Sequence, residues 1–281
     1  MPETRQVVDT YITASYEASK LITNRYSTSF GLSIRLFEPA LRPHIYAIYG
    51  FVRIADEIVD TYTGSDRLEV LNELESHAKH ALKTGYSTNP IVQAFVTTAR
   101  MYNIGSSLIT PFFNSMRMDI TPKPFDQKRY EAYIYGSAEV VGLMCLKVFT
   151  ADEKIYQKLE KGASHLGAAY QKVNFLRDIA ADADDLGRWY FPISSFKAFD
   201  EKAKAVIIRD IEKDFKAAST AIAQLPESSR KAVELSYQYY SQLLKRLKLT
   251  PASKLLTTRI RINNLQKTAL LVKVSLGKKH A

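Results

Sequence analysis

Two pairs of aspartates, Asp56/Asp60 and Asp178/Asp182, each stand four residues apart inside an apolar stretch of helical character. At that spacing both carboxylates of a pair project from one helix face. Like charges so placed repel by about 0.2–0.5 kcal/mol in water, and by far more when drawn out of solvent unpaired. Two such pairs amid Ile, Val, Leu and Phe ask for cations, and divalent metal held between facing helices is the natural candidate. Carboxylate sets without Cys or His suit Mg²⁺, which accepts one or two carboxylates and takes other ligands from substrate phosphates. Either stripe alone also fits a solvated surface; their pairing is what favours a shared site.

The flanking residues extend the chemistry. Arg53 shares a face with Asp56 and Asp60, and Asn174, Asp178 and Asp182 recur every four residues, with Gln171 and Arg177 beside them. Arg53, Arg177 and Arg188 match the fork geometry of phosphate oxygens. A metal here acts as a Lewis acid on a leaving diphosphate. A diphosphate leaving an allylic carbon leaves a carbocation, which needs a dry cavity walled by electron-rich rings. The chain carries 17 Tyr and 13 Phe, and each ring face contributes about 0.5–2 kcal/mol to a nearby cation.

Elements that position these groups read as helices. The chain has 281 residues, enough for one large core, and strand signals are scarce. Breakers separate helical segments at 5–25, 40–60, 66–83, 90–118, 127–149, 153–184, 199–223, 227–248 and 254–275. Asp66, Ser87, Asp126, Asp152 and Ser228 are candidate caps. No fixed-period repeat or long linker appears, so residues 1–281 read as one all-α bundle, with sites formed by facing helices. The sequence offers no Gly-rich phosphate loop, no nucleophile turn and no Cys/His metal spacing; His77 and His80 fall in a charged surface stretch.

Composition bounds the setting. The single Cys145 rules out an internal disulfide and fits a reducing cytoplasm as a small buried hydrophobe. A polar, acid-bearing N-terminus is unlike a secretory signal, and no apolar run approaches the ~18 residues of a membrane span. A net charge of +10, with Lys and Arg concentrated toward the C-terminus, points to an anionic partner. The C-terminal Leu and Val interspersed with these cations fit a closing helix or a membrane-surface helix better than a nucleic-acid tail.

With these residues in view, a family resemblance is plain. Tyr26-Ser-Thr-Ser-Phe30, Tyr46-Ala-Ile-Tyr-Gly-Phe-Val-Arg-Ile-Ala-Asp-Glu-Ile-Val-Asp60, Tyr135-Gly-Ser-Ala-Glu-Val-Val-Gly142, Gln171-Lys-Val-Asn-Phe-Leu-Arg-Asp-Ile-Ala-Ala-Asp182 and Gly187-Arg-Trp-Tyr-Phe-Pro192 resemble the squalene/phytoene synthase family, in its order and spacing. Within that family the chain looks most like bacterial phytoene synthases of carotenoid pathways.

The resemblance implies a single-domain all-α isoprenoid synthase bundle with a central cavity. It implies a prenyltransferase that condenses two geranylgeranyl diphosphates head to head, through a cyclopropyl (prephytoene) diphosphate, to phytoene. Asp56, Asp60, Asn174, Asp178 and Asp182 match metal ligands for Mg²⁺, with Mn²⁺ as substitute. Arg53, Arg177 and Arg259 match diphosphate-binding arginines, and Gln171 lies beside them. Ser27, Ser29 and Phe30 match the substrate entrance, while Tyr135 and Tyr240 match catalytic tyrosines facing the diphosphate and cation. Ile34 stands where a large aromatic narrows the pocket of some C30 synthases, which favours the C20 substrate.

Alternatives are a farnesyl diphosphate enzyme giving dehydrosqualene or squalene, and a non-catalytic scaffold. No NADPH, no nucleic acid and a cytoplasmic location with peripheral membrane contact are expected, with other carotenoid-pathway enzymes as partners. Tyr26, Glu139 and Ala181 depart from the common pattern, where His, Gly and Glu are usual.

Overall fold

The computed structural model describes residues 2–121, 123–184, 189–192 and 198–275, with the side chains of 2–9, 28, 29, 182–184, 264, 265, 273 and 275 outside the description. The described residues form helices α1 (Pro2–Tyr26), α2 (Thr28–Ile34), α3 (Arg42–Asp60), α4 (Arg67–Thr84), α5 (Pro90–Met101), α6 (Ser106–Ile120), α7 (Gln127–Ile134), α8 (Val140–Thr150), α9 (Glu153–Asp184), α10 (Glu201–Ile222), α11 (Glu227–Leu249), α12 (Ala252–Leu255) and α13 (Asn264–Ser275). A π-helical turn, Tyr135–Glu139, joins α7 to α8. Among the described residues no strand forms, and the fold is all-α as expected.

Local chemistry sets the helix ends. Asp126 accepts from the Arg129 backbone N–H at 2.7 Å and Asp152 from that of Ile155 at 2.9 Å, as expected of caps. Asp66 stands at the N-cap of α4 as expected, without a side-chain capping bond, whereas Asn89 rather than Ser87 caps α5 and Pro226 rather than Ser228 stands at the N-cap of α11. Gly85 ends α4 with φ +86°, a left-handed turn that glycine adopts without strain.

Some segments divide. The stretch read as one helix over 90–118 breaks between α5 and α6, because Asn103 turns left-handed at φ 53°. The stretch 254–275 holds a short α12, a non-helical strap over 258–263, and α13. One expectation is overturned: Gln127–Thr150 forms a helical run of 24 residues whose most apolar 18-residue window has mean hydropathy 1.3, long and apolar enough by length and composition to cross a membrane. Half of that run's most apolar window is buried within the bundle, where it serves as a core helix. Its polar first turns disguised it, since the apolar part alone is short.

Packing builds two apolar clusters. One centres on Phe51, stacked on Phe95 with centroids 4.0 Å apart and edge-on to Phe113. The other centres on Phe175, stacked on Tyr190 at 4.1 Å. Each such side chain fully buried contributes about 1.5–3 kcal/mol. Members of both clusters line a common cavity.

Candidate active site

The cavity has a volume of about 720 Å³, within the range of small-molecule sites. Its polar residues gather on α3 and α9. On α3, Tyr49, Arg53, Asp56 and Asp60 face it at helical spacing. On α9, Tyr170, Gln171, Asn174, Arg177 and Asp178 do the same, and the strap contributes Arg259. The two acidic stripes therefore open onto one space. The side chains of Asp182 and Ser29, and all of Arg188, lie outside the described residues.

Asp178 sits under two guanidinium groups. Arg177 Nε donates to its Oδ1 at 2.8 Å, and Arg259 Nε approaches the same oxygen at 2.7 Å. Arg53 pairs with Glu57 one turn on, lies 4.4 Å above the Tyr26 ring, and keeps its buried Nε–H without a partner. An unsatisfied buried donor is costly, and it suits an incoming oxyanion.

Asn174 carries the complementary signal. Its buried Oδ1 has no hydrogen-bond partner, while its amide bears on Tyr240. Burial raises the Tyr240 hydroxyl above its ordinary value, against the pull of Arg177 and Asn174, so the phenol stays protonated. Tyr240 stacks on Tyr170 with centroids 4.0 Å apart.

A hard-cation donor set is present: carboxylates of Asp56, Asp60 and Asp178 and the unsatisfied amide oxygen of Asn174 share one cavity. Among the described residues no three His, Cys, Asp or Glu side chains stand close enough to chelate one ion unaided. Mg²⁺ suits such an open arrangement, since it binds through one or two carboxylates and completes its shell elsewhere.

Below the polar end the walls are apolar and aromatic. Phe30 stacks on Tyr49 at 5.0 Å, and Ser27 caps α2 by accepting from the Phe30 backbone N–H at 3.3 Å. Cys145 lines the cavity; burial pushes its thiol up to about 12, so it remains a neutral, apolar lining group.

Two expected site residues lie elsewhere. Tyr135 is 38% exposed and off the cavity wall; Tyr133 faces the cavity in its place. The π turn begins at Tyr135, and a two-residue step along a helix reverses the side-chain direction. Ile34 is fully buried in the core and does not border the cavity, whereas Ser33 and Phe37 do. The depth argument built on Ile34 therefore fails.

Asp119 escaped sequence reading. It is 5% exposed, lines the cavity, and accepts from the Tyr133 hydroxyl at 2.6 Å and the Tyr190 hydroxyl at 2.9 Å. No acidic partner stands four residues away, and only the Tyr190 motif near it was a signal. Glu139 also gains surroundings: burial raises its carboxyl, against Ser164, beside the Lys172–Asp210–Asp214–His165 charge cluster on α9 and α10.

Comparison with known proteins agrees with this geometry. The squalene/phytoene synthase family model matches residues 23–266. A phytoene synthase from Arthrospira platensis is 29% identical over 258 residues, covering 82% of each chain. A presqualene diphosphate synthase from Zymomonas mobilis is 32% identical over 205 residues, covering 71% of this chain and 66% of the relative. A dehydrosqualene synthase crystallised with ligand shares the fold at TM-score 0.81 and 20% identity, covering 94% of this chain and 96% of that one.

Proposed function

The chain belongs to the squalene/phytoene synthase family, and from that premise we propose that it joins two geranylgeranyl diphosphates head to head to give phytoene. The observation that carries this reading is one cavity with carboxylates, guanidinium groups and an unsatisfied amide oxygen at its polar end and a long apolar wall beyond.

Each step balances. The allylic C–O bond of one substrate breaks, and its electron pair leaves with diphosphate. The double bond of the second substrate attacks the cation, and proton loss closes a cyclopropyl diphosphate. That intermediate loses its own diphosphate, rearranges and releases a second proton, so no reductant is consumed. Phytoene and two diphosphates result.

This chain's residues divide the work. Arg53, Arg177 and Arg259 hold diphosphate oxygens, with charge-assisted bonds about twice as strong as neutral ones. Mg²⁺, or Mn²⁺ in its place, bound through Asp56, Asp60, Asn174, Asp178 and Asp182, would neutralise the departing charge. Tyr240, stacked on Tyr170, offers a ring face to the cation. Gln171 stands with the polar groups of α9 beside the diphosphate, and Ser27 and Phe30 border the cavity where the substrate enters. Asp119, with its two tyrosine donors, fixes Tyr133 and Tyr190 against the cavity. The apolar walls keep out the water that would quench the cation.

The test supplies purified protein with Mg²⁺ and either farnesyl or geranylgeranyl diphosphate, with and without NADPH, and identifies the extracted hydrocarbon. Phytoene from the C20 substrate alone, unchanged by NADPH, supports the proposal. Squalene or dehydrosqualene as main product replaces it with the C30 reading, and no product at all from a folded protein points to the scaffold reading.

A further inference from the structure

Behind the cavity wall, α9 buries a cation. Lys172 stands between Gln171 and Asn174 in sequence, yet it is only 9% exposed. With 3.6 residues per turn, a two-residue step places Lys172 on the side of α9 opposite Asn174, toward α10. There its ammonium donates to Asp214 Oδ2 at 2.7 Å and pairs with Asp210. His165 Nδ1 lies 2.8 Å from the other oxygen of Asp214, itself 6% exposed. Burial would lower the Lys172 ammonium, but the two carboxylates outweigh it and hold the group above its ordinary value, so it stays charged.

Lys172 and His165 are about 10 Å apart along the axis of α9, and both grip the same carboxylate of α10. Nearer the start of α9 the contact with α10 is small and apolar, with Gly162 packed so closely on Ala221 that a side chain would strike it. Apolar contact is non-directional and permits sliding. A buried ion pair has one geometry, and stranding either member is strongly unfavourable. The π turn closes in elsewhere on α9: a side chain on Gly167 would stand 2.6 Å from the Ala138 carbonyl oxygen and 3.0 Å from Glu139 Cα. Between these two holds, α9 keeps Gln171, Asn174 and Asp178 on the cavity wall.

We infer that Lys172 is a positioning residue, which through Asp214 and Asp210 fixes the rotation and register of α9 and so aims Asn174 and Asp178 at the reacting diphosphate. This rests on the prenyl diphosphate reading above and deepens it. Arg53 on α3 and Arg259 on the strap belong to other elements. A loosened α9 therefore leaves substrate binding largely intact and slows the step that needs close alignment, where a displacement of about 1 Å costs up to about 10²-fold.

The experiment compares the wild type with Lys172→Met and with the double variant Lys172→Met/Asp214→Asn, using Mg²⁺ and whichever of farnesyl or geranylgeranyl diphosphate the wild type consumes. It reads kcat and KM from diphosphate release, per folded protein, with thermal melting alongside. The single variant strands two carboxylates and is expected to melt lower; the double variant removes one of them and is expected to regain part of that loss. Both are expected to lower kcat by about tenfold or more and to leave KM within about threefold. Wild-type kcat in folded Lys172→Met overturns the inference. So does a double variant whose kcat recovers with its melting temperature, since the fault was then an unpaired charge rather than lost register. Either result leaves the proposed reaction standing. Should Lys172→Met fail to fold, the kcat of the double variant decides alone. A wild type that releases no diphosphate from either substrate overturns the reaction and the inference together.

Discussion

Asp178 is held by Arg177 and Arg259 at one oxygen, so its charge is matched before any substrate arrives. In the proposed reaction, incoming diphosphate would compete for those guanidinium groups, and the carboxylate it released would become available to a cation. Asp56→Asn and Asp178→Asn are therefore expected to keep the helical circular dichroism signal and to lower kcat by about 10²–10³. Near-normal turnover in both variants would remove the assigned roles. Tyr133→Phe deprives buried Asp119 of one of its tyrosine donors, and denaturant unfolding should register a loss of about 1–3 kcal/mol. The acidic stripes were legible in the sequence because four-residue spacing survives into any helix. Asp119 was not, because its partners come from Tyr133 and Tyr190, brought to it only by folding. Tyr135 misled because the π turn starts at that residue.

Helices were legible wherever the 3.6-residue pattern ran unbroken, as in α3 and α9. The divisions that escaped notice turn on single backbone choices, such as Asn103 entering the left-handed region between α5 and α6. The strap that delivers Arg259 was read as helix because its Ile260 and Ile262 lie between Leu256 and Leu265 with no Gly or Pro to break the run. Gly136 gives the π turn its place: a side chain there would lie 2.2 Å from the Pro111 carbonyl oxygen. Gly136→Ala must push α6 away from the turn, and thermal unfolding should show a loss of about 1–3 kcal/mol. An unchanged melting curve would contradict that packing.

Glu75 ties α4 to α6. Burial would raise its carboxyl, but Lys79 and Arg117 together hold it below the ordinary value. A depressed folded-state value means the stabilisation is present above the unfolded carboxylate range, near pH 4.3, and fades as pH falls through the folded value. Glu75→Gln should accordingly lower stability at pH 7 and narrow its gap from wild type in acid, measured by urea unfolding at both pH values. A constant gap would assign the loss to packing alone.

For the molecule as a whole, a net charge of +10 fits an anionic substrate and a negatively charged surface. Helix α13 packs on α11 through Leu235, Leu270 and Val274 and leaves Val272 half exposed. We propose peripheral contact with anionic lipid through this end of the chain. Deleting residues 265–281 should reduce co-sedimentation with acidic vesicles, and unchanged co-sedimentation would rule the contact out. The general form of the cavity was foreseeable from family resemblance, but its lining was not, since that depends on which faces of α3, α8 and α9 turn toward one another.

The central claim is that both acidic stripes serve one prenyl diphosphate. A crystal structure with Mg²⁺ and a non-ionising thio-diphosphate analogue of the C20 substrate tests it most directly. The account predicts diphosphate between α3 and α9, metal within ligand distance of Asp56 and Asp178, and the tail running along the apolar wall of α9. Analogue bound elsewhere, or carboxylates without metal beside an occupied cavity, would contradict it.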